Sequence, residues 1–207
     1  MNTHCITAVL LLTALLRCPT VDAQPCSAWK RLSKAEKRWV IGHLFVAKRA
    51  YRISVEARDQ ADRMLTDLRL DRDKDGGEVD AFRHTYWMAR LTQSIGRKKA
   101  LKLGEAHELG NYQDYLAGKA EEIHLPDSMS SVMDRWNNRL GATIGEGCAG
   151  FSKDQLQERI VDEILNGRAR KLRKNAQGEW LDCSGNPVDR TSRQWKKNSC
   201  LVRTGVR

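Results

Sequence analysis

Between Ser33 and Gly167, apolar residues return every three or four positions in five successive stretches. That spacing is the period of one face of an α-helix, and it does not suit a strand, whose side chains alternate. The first stretch opens on Ser33-Lys34-Ala35-Glu36, a capping box, and carries its stripe through Val46, Ala50, Ile53, Ala57, Ala61 and Met64. It reads as a long helix broken once, ending before the loop Asp71-Arg72-Asp73-Lys74-Asp75-Gly76-Gly77. A second helix is expected over about 78–94 with Gly96 closing it, and a third over about 98–109. Residues 110–127 are mixed, punctuated by Gly110, Gly118 and Pro126. A fourth helix starts at Asp127 or Ser128 and reaches about Ile144; a fifth runs from a second capping box, Ser152 with Gln155, to the stop Asn166-Gly167. The fold class is therefore all-α, a compact multi-helix domain.

Composition agrees. Of 207 residues, 41% are hydrophobic and 30% charged, which suits a soluble globular chain and argues against long disorder. Residues 1–23 stand apart. Ile6 to Leu16 is too short to span a bilayer, and Val21-Asp22-Ala23 offers a signal-peptidase cut. The expectation is a cleaved secretory signal at 1–23, a helical domain at 24–167 and a secreted or periplasmic location, with no membrane-spanning segment once the signal is removed. Cys26, Cys148, Cys183 and Cys200 then remain, enough for two disulfides. Cys183 with Cys200 would close the tail on itself; Cys26 with Cys148 would tie the new N-terminus to the domain.

The net charge is +10, and residues 168–207 hold 11 Lys and Arg against 3 Asp and Glu, so +8 of it lies in the tail. This basic, cystine-closed extension has turn chemistry at Asn175-Ala176-Gln177-Gly178, suited to a small β-hairpin between Lys171 and Leu181. With Trp180 and Trp195 it could meet an anionic surface, lipid or cell wall; it also reads as a solvated extension. Nucleic acid is not the expected partner of an exported chain.

The chemistry lies on the helices. In the second helix Ala81, Trp87, Met88, Leu91 and Ile95 share one arc; His84 falls at its middle, Asp80 lies beside it, and Arg83 is to one side. In the third, Ala100, Leu101, Leu103 and Gly104 define the arc, with His107 inside it and Glu108 at its edge. The fourth has an apolar arc of Met129, Val132, Met133, Trp136, Leu140 and Ile144, and a separate stripe of Asp134, Asn137, Asn138, Gly141 and Gly145. That stripe reads as a solvated face, except that each interior glycine costs about 0.8–1 kcal/mol against alanine and so asks for a close contact. Buried ionisable groups must be paired. A cluster of Asp80, His84, His107, Glu108 and Asp134 would satisfy itself, either as an internal polar network or as imidazoles oriented by carboxylates for base catalysis or for a divalent metal. The Asp71–Gly76 run begins like an EF-hand loop, but position 12 is Phe82, so it reads as a solvated loop.

Asp80-Ala81-Phe82-Arg83-His84-Thr85-Tyr86-Trp87, Gly104-Glu105-Ala106-His107-Glu108, and Met133-Asp134 with Asn137-Asn138 and Gly141 resemble an uncharacterised bacterial all-helical family, a domain of unknown function, over about Trp39 to Gly167. The resemblance implies a helical domain with a shared site at Asp80, Arg83, His84, His107, Glu108, Asp134, Asn137 and Asn138, and no established reaction. Arg83-His84-Thr85-Tyr86 is also weakly similar to the catalytic helix of secreted phospholipases A2, though Thr85 stands where their calcium-binding Asp would be. The paired wheel positions suggest a hydrolytic site, with His84 as base oriented by Asp134 or Asp80, His107 and Glu108 on a metal or a developing charge, and Asn137 and Asn138 donating to substrate; the phospholipase likeness implies a lipid ester as the substrate class. The alternative is a non-enzymatic binding module whose polar cluster is structural.

Overall fold

The computed structural model describes residues 24–118, 127–192 and 194–205, with side chains from residue 28 onward. The expected signal segment at 1–23 lies outside them. The described residues before Ser33, helix α1 (Gln24–Arg31) and Leu32, belong to a separate unit. Ser33–Arg207 is one compact unit. It holds α2 (Lys34–Gly42), α3 (Leu44–Met64), α4 (Glu78–Ile95), α5 (Arg97–Leu116), α6 (Ser128–Gly147), α7 (Lys153–Leu165), and two short strands, β1 (Arg170–Leu172) and β2 (Leu201–Arg203).

Local signals explain most boundaries. Ser33 and Glu36 close their capping box over α2, and Ser152 with Gln155 does the same for α7. The single break in the long first helix falls at His43, whose ring stacks on Trp39 and bonds its carbonyl. Asp127 caps α6 through the amides of Met129 and Ser130. One boundary differs from expectation: α5 does not end near 109 but runs through Gly110 to Leu116. Gly110 is not a stop there, because a Cβ at that position would run into the Ser33 side chain; it is a contact point for the start of α2.

Helix α4 is the axis of the domain. It packs on α3, α5, α6, α7 and β1, so Val79, Phe82, Tyr86 and Ala89 are as buried as the predicted arc. On one side Phe82 and Tyr86 join α3 and α7 residues, among them Ala57, Ala61, Leu156 and Ile160. On the other, Met88, Leu91 and Ile95 meet Trp39, Ile53 and Leu103 from α2, α3 and α5. Helix α6 lies directly on α4: a Cβ at Gly141 would strike the Thr85 carbonyl, and one at Gly145 the Ala89 carbonyl. The glycine stripe is thus the seam between two helix backbones and not a solvated face.

The tail is built into the domain. β1 pairs antiparallel with β2, Lys171 opposite Val202, and the Cys183–Cys200 disulfide closes the loop between them. The expected hairpin is reduced to its turn, Gly178 N–H to Asn175 carbonyl, and one bridge, Lys174 with Trp180. β1 finds its ladder partner at the far end of the tail instead. Leu172 and Trp180 pack with Met133 of α6, so Trp180 is core and not a docking surface. Cys148 is a free thiol; the side chain of Cys26, its expected partner, lies outside the described residues. Among the described residues no helix is long and apolar enough to cross a membrane.

Candidate functional site

Spacing along α4 puts Asp80 and His84 one turn apart, and the glycine seam brings Asp134 of α6 against them. His84 Nε2 lies 3.3 Å from Asp134 Oδ1 and 3.7 Å from Asp80 Oδ1. All three side chains are buried, and each offers one ligand atom to a group spanning less than 4.8 Å. On the other side of the ring, His84 Nδ1 lies 3.3 Å from the Asn138 amide oxygen. An amide oxygen only accepts, so this network assigns the proton to Nδ1 and leaves a lone pair on Nε2. Arg83 Nη2 donates to that lone pair at 3.1 Å and to Asp80 Oδ1 at 2.6 Å. The second Asp80 oxygen accepts the Gly76 amide at 2.9 Å. Asp134 Oδ1 has no hydrogen bond, although it is buried and faces Nε2.

His107 and Glu108 arrive from α5, which Gly104 lets approach until a Cβ there would touch Met88 and the Asn138 amide. The His107 ring is 6.3 Å from that of His84 and 5.6 Å from the Trp87 indole. It is 30% exposed, so it forms the outer edge of the cluster rather than its interior. Its Nδ1 meets Glu36 Oε1 at 3.1 Å. Glu36 is a participant that sequence reasoning missed; its capping-box role accounts for it locally, and nothing in the pattern links positions 71 residues apart. Glu108 is buried, with one oxygen 3.4 Å from the Asn111 amide and the Ser131 side chain beside the carboxyl.

Asn137 is not brought to this group. Its amide accepts from Arg170 N–H at 2.9 Å and donates to the Arg170 carbonyl at 3.0 Å, completing β1 like a strand neighbour. Asp80, Arg83, His84, His107, Glu108, Asp134 and Asn138 are the predicted residues that converge; Asn137 points to the tail.

The electrostatics follow from burial. Desolvation first, then the charges of Arg83 and His107, push the His84 imidazole well below its ordinary range, so it is neutral at pH 7. Burial, then the charges of Glu108 and Asp80, hold Asp134 well above the carboxylate range. Burial also raises Glu108, opposed by the charge of His107. Glu36 goes the other way: burial would raise it, but bonds to His107 and Ser33 outweigh that and lower it. Three acids and a neutral imidazole thus share a buried seam, with Arg83 bonded to Asp80 and His84 and with His107 at its edge. Asp80, His84 and Asp134 are the residues that could hold a metal ion.

No curated protein and no solved structure matches the chain, so nothing from those comparisons supports the likeness to phospholipases A2. Residues 37–168 match the profile of the family described as Domain of unknown function (DUF6973). The matched segment takes in α3 to α7 whole, with every residue of the cluster except Glu36, and the chain belongs to that family.

Proposed function

We propose that the chain is an exported hydrolase whose reaction centre is the seam of α4 and α6, with a divalent cation held by Asp80, His84 and Asp134. The observation that carries this reading is the buried, unpartnered Asp134 Oδ1, 3.3 Å from the lone pair of His84 Nε2. Two acceptors in that position need a cation or a shared proton between them. The nearby Asp80 oxygen supplies a third donor. A mixed imidazole and carboxylate set suits zinc or manganese better than calcium, which prefers oxygen alone. The Asn138 amide behind Nδ1 is the kind of outer partner that orients a ligating imidazole. Arg83 occupies part of the same space, and its side chain, 40% exposed, has a way out.

In this reading His84 is a ligand rather than the base, because its ring is buried and its Nε2 faces the acids. A cation held by Asp80, His84 and Asp134 would supply a water of lowered pKa. His107, half-buried and held by Glu36, would be the base toward the water that attacks the ester carbonyl carbon and the acid toward the departing alkoxide. A lipid ester is the first substrate class to assay, since the Arg-His-x-Tyr likeness points there. The Cys183–Cys200 disulfide supports an oxidising, exported location.

The test has two arms on the full chain. Elemental analysis of protein purified without chelators, with calorimetric titration of zinc and manganese, reads the cation. Stoichiometric binding that is lost in Asp134→Asn is expected; no binding overturns the metal assignment. Hydrolysis of short-chain aryl esters and of phosphatidylglycerol vesicles reads the reaction. His107→Gln is expected to lower turnover about 100-fold or more. Turnover unchanged by that variant, or no hydrolysis of either ester class by the metal-loaded protein, overturns the hydrolase.

A further inference from the structure

Helix α6 turns the cluster residues inward and presents Trp136, Arg139 and Leu140 on its other side. There a cavity of about 490 Å³ opens between α6, the end of α7 and the β1–β2 ribbon. That is the size range of small-molecule sites. Trp136 and Leu140 give it an apolar floor, and Arg139, Arg168, Arg170 and Arg203 give it cationic walls. The floor is fixed: the Trp136 indole N–H donates to the Arg168 carbonyl at 3.0 Å, and the Arg170 guanidinium lies 4.1 Å above the ring.

The charge of these walls is largely uncompensated. Arg168 reaches Glu163 at 3.3 Å. Arg170 spends its guanidinium on the carbonyls of Gly167, Arg168 and Ala169, in the turn that follows α7. Neither Arg139 nor Arg203 has a carboxylate partner among the described residues. Burial, and then the charge of Arg203, pull Arg170 below its ordinary range, so these two wall cations lie close enough to feel each other.

We propose that this cavity is a binding site for a phosphate group carried on an apolar or aromatic body, with Arg139 and Arg203 on the phosphate oxygens and the body on Trp136 and Leu140. Guanidinium forks match phosphate oxygens in pairs, and a dianion answers two unpaired arginines. The site lies on the outer face of α6 and does not depend on the reaction assigned to the inner face.

Calorimetric titration of the full chain with phenyl phosphate, inorganic phosphate and phenol tests it, beside sedimentation with phosphatidylglycerol and phosphatidylcholine vesicles. Phenyl phosphate is expected to bind saturably, about tenfold or more tighter than inorganic phosphate and with phenol negligible. Arg139→Ala/Arg203→Ala is expected to weaken it by a similar factor while the melting temperature holds, since both side chains are exposed. Arg139→Gln alone serves if the pair fails to fold. Binding to phosphatidylglycerol vesicles only, lost in the same variants, keeps the phosphate assignment and makes a lipid headgroup its source. No saturable binding in either arm, or binding undiminished by the variants, overturns it.

Discussion

Asp134 and Arg83 make opposite predictions about the same few cubic ångströms. If a cation belongs between Asp80, His84 and Asp134, Arg83 competes with it, since its Nη2 already touches Asp80 Oδ1 and His84 Nε2. Arg83→Gln should therefore tighten zinc or manganese binding several-fold in calorimetry. Asp134→Asn should weaken it about tenfold or more, as loss of a ligand does. Metal-free, Asp134→Asn should melt no lower than the parent and above it when the parent carboxyl is forced to ionise, because a buried unpaired acid is replaced by a neutral amide. A drop in melting temperature would mean the carboxylate is already well paired. At this scale the helical wheel was informative where the partner sits on the same helix: Asp80 beside His84 follows from four-residue spacing. It was silent where the partner comes from elsewhere. Glu36 meets His107 across the fold, and Asn137, next to Asn138 in sequence, turns a hundred degrees away to hold the Arg170 backbone.

At the scale of the helix, α6 shows how period can be right and facing wrong. Both stripes were visible, but the polar one with Asp134, Asn138, Gly141 and Gly145 is buried, while Val132 and Trp136 of the apolar one are exposed. The glycines held the clue, since they permit a backbone contact worth more than the helix propensity they sacrifice. Gly141→Ala measures that balance. Alanine would gain about 1 kcal/mol of propensity. Its methyl would meet the Thr85 carbonyl, which cannot move without bending α4, and overpacking of that kind costs about 1–3 kcal/mol. Net destabilisation in urea melts is expected, with loss of the His84–Asp134 apposition. A second joint is electrostatic. Glu56 of α3 accepts from Tyr86 and Arg90 of α4 at 2.9 Å each and pairs with Lys153 of α7 at 2.7 Å. Burial alone would raise its pKa, but these bonds outweigh burial and lower it from the ordinary 4.5. A carboxylate lowered on folding stabilises above its unfolded value and loses that contribution as pH falls through the lower folded one. Melting temperature should thus fall as pH drops below 4.5, and the fall should be shallower in Glu56→Gln.

Across the whole molecule, the helical domain and the basic tail depend on each other, which composition alone could not show. The tail's charge read as a surface for an outside anion, yet much of it answers the acidic loop before α4. Lys171 pairs with Glu78 at 2.9 Å and Asp71 at 3.3 Å, Lys174 with Asp73 at 2.6 Å, and Arg190 with Asp75 at 3.3 Å. The loop that began like a calcium site is instead laced by lysines from about a hundred residues later. The tail also completes two buried groups: Asn137, through Arg170, and Glu78, which accepts the Gly205 amide at 2.9 Å. Leaving such groups bare costs about 1–3 kcal/mol each, and Met133 would lose its packing against Leu172 and Trp180. Set against a total stability of about 5–15 kcal/mol, these losses are decisive. A chain ending at Gly167 should fail to melt cooperatively by circular dichroism and should be cleaved rapidly by protease. The milder cut, Cys200→Ser, opens a loop of sequence separation 17 and should cost about 3 kcal/mol, leaving a folded but less stable protein. A truncated chain as stable as the whole would show that the tail merely lies against the helices. Cooperative loss in the truncation together with partial loss in Cys200→Ser would show that α4, α6 and β1 fold as one element, so that the acids and imidazoles of the seam are held in register by residues outside the helices that carry them.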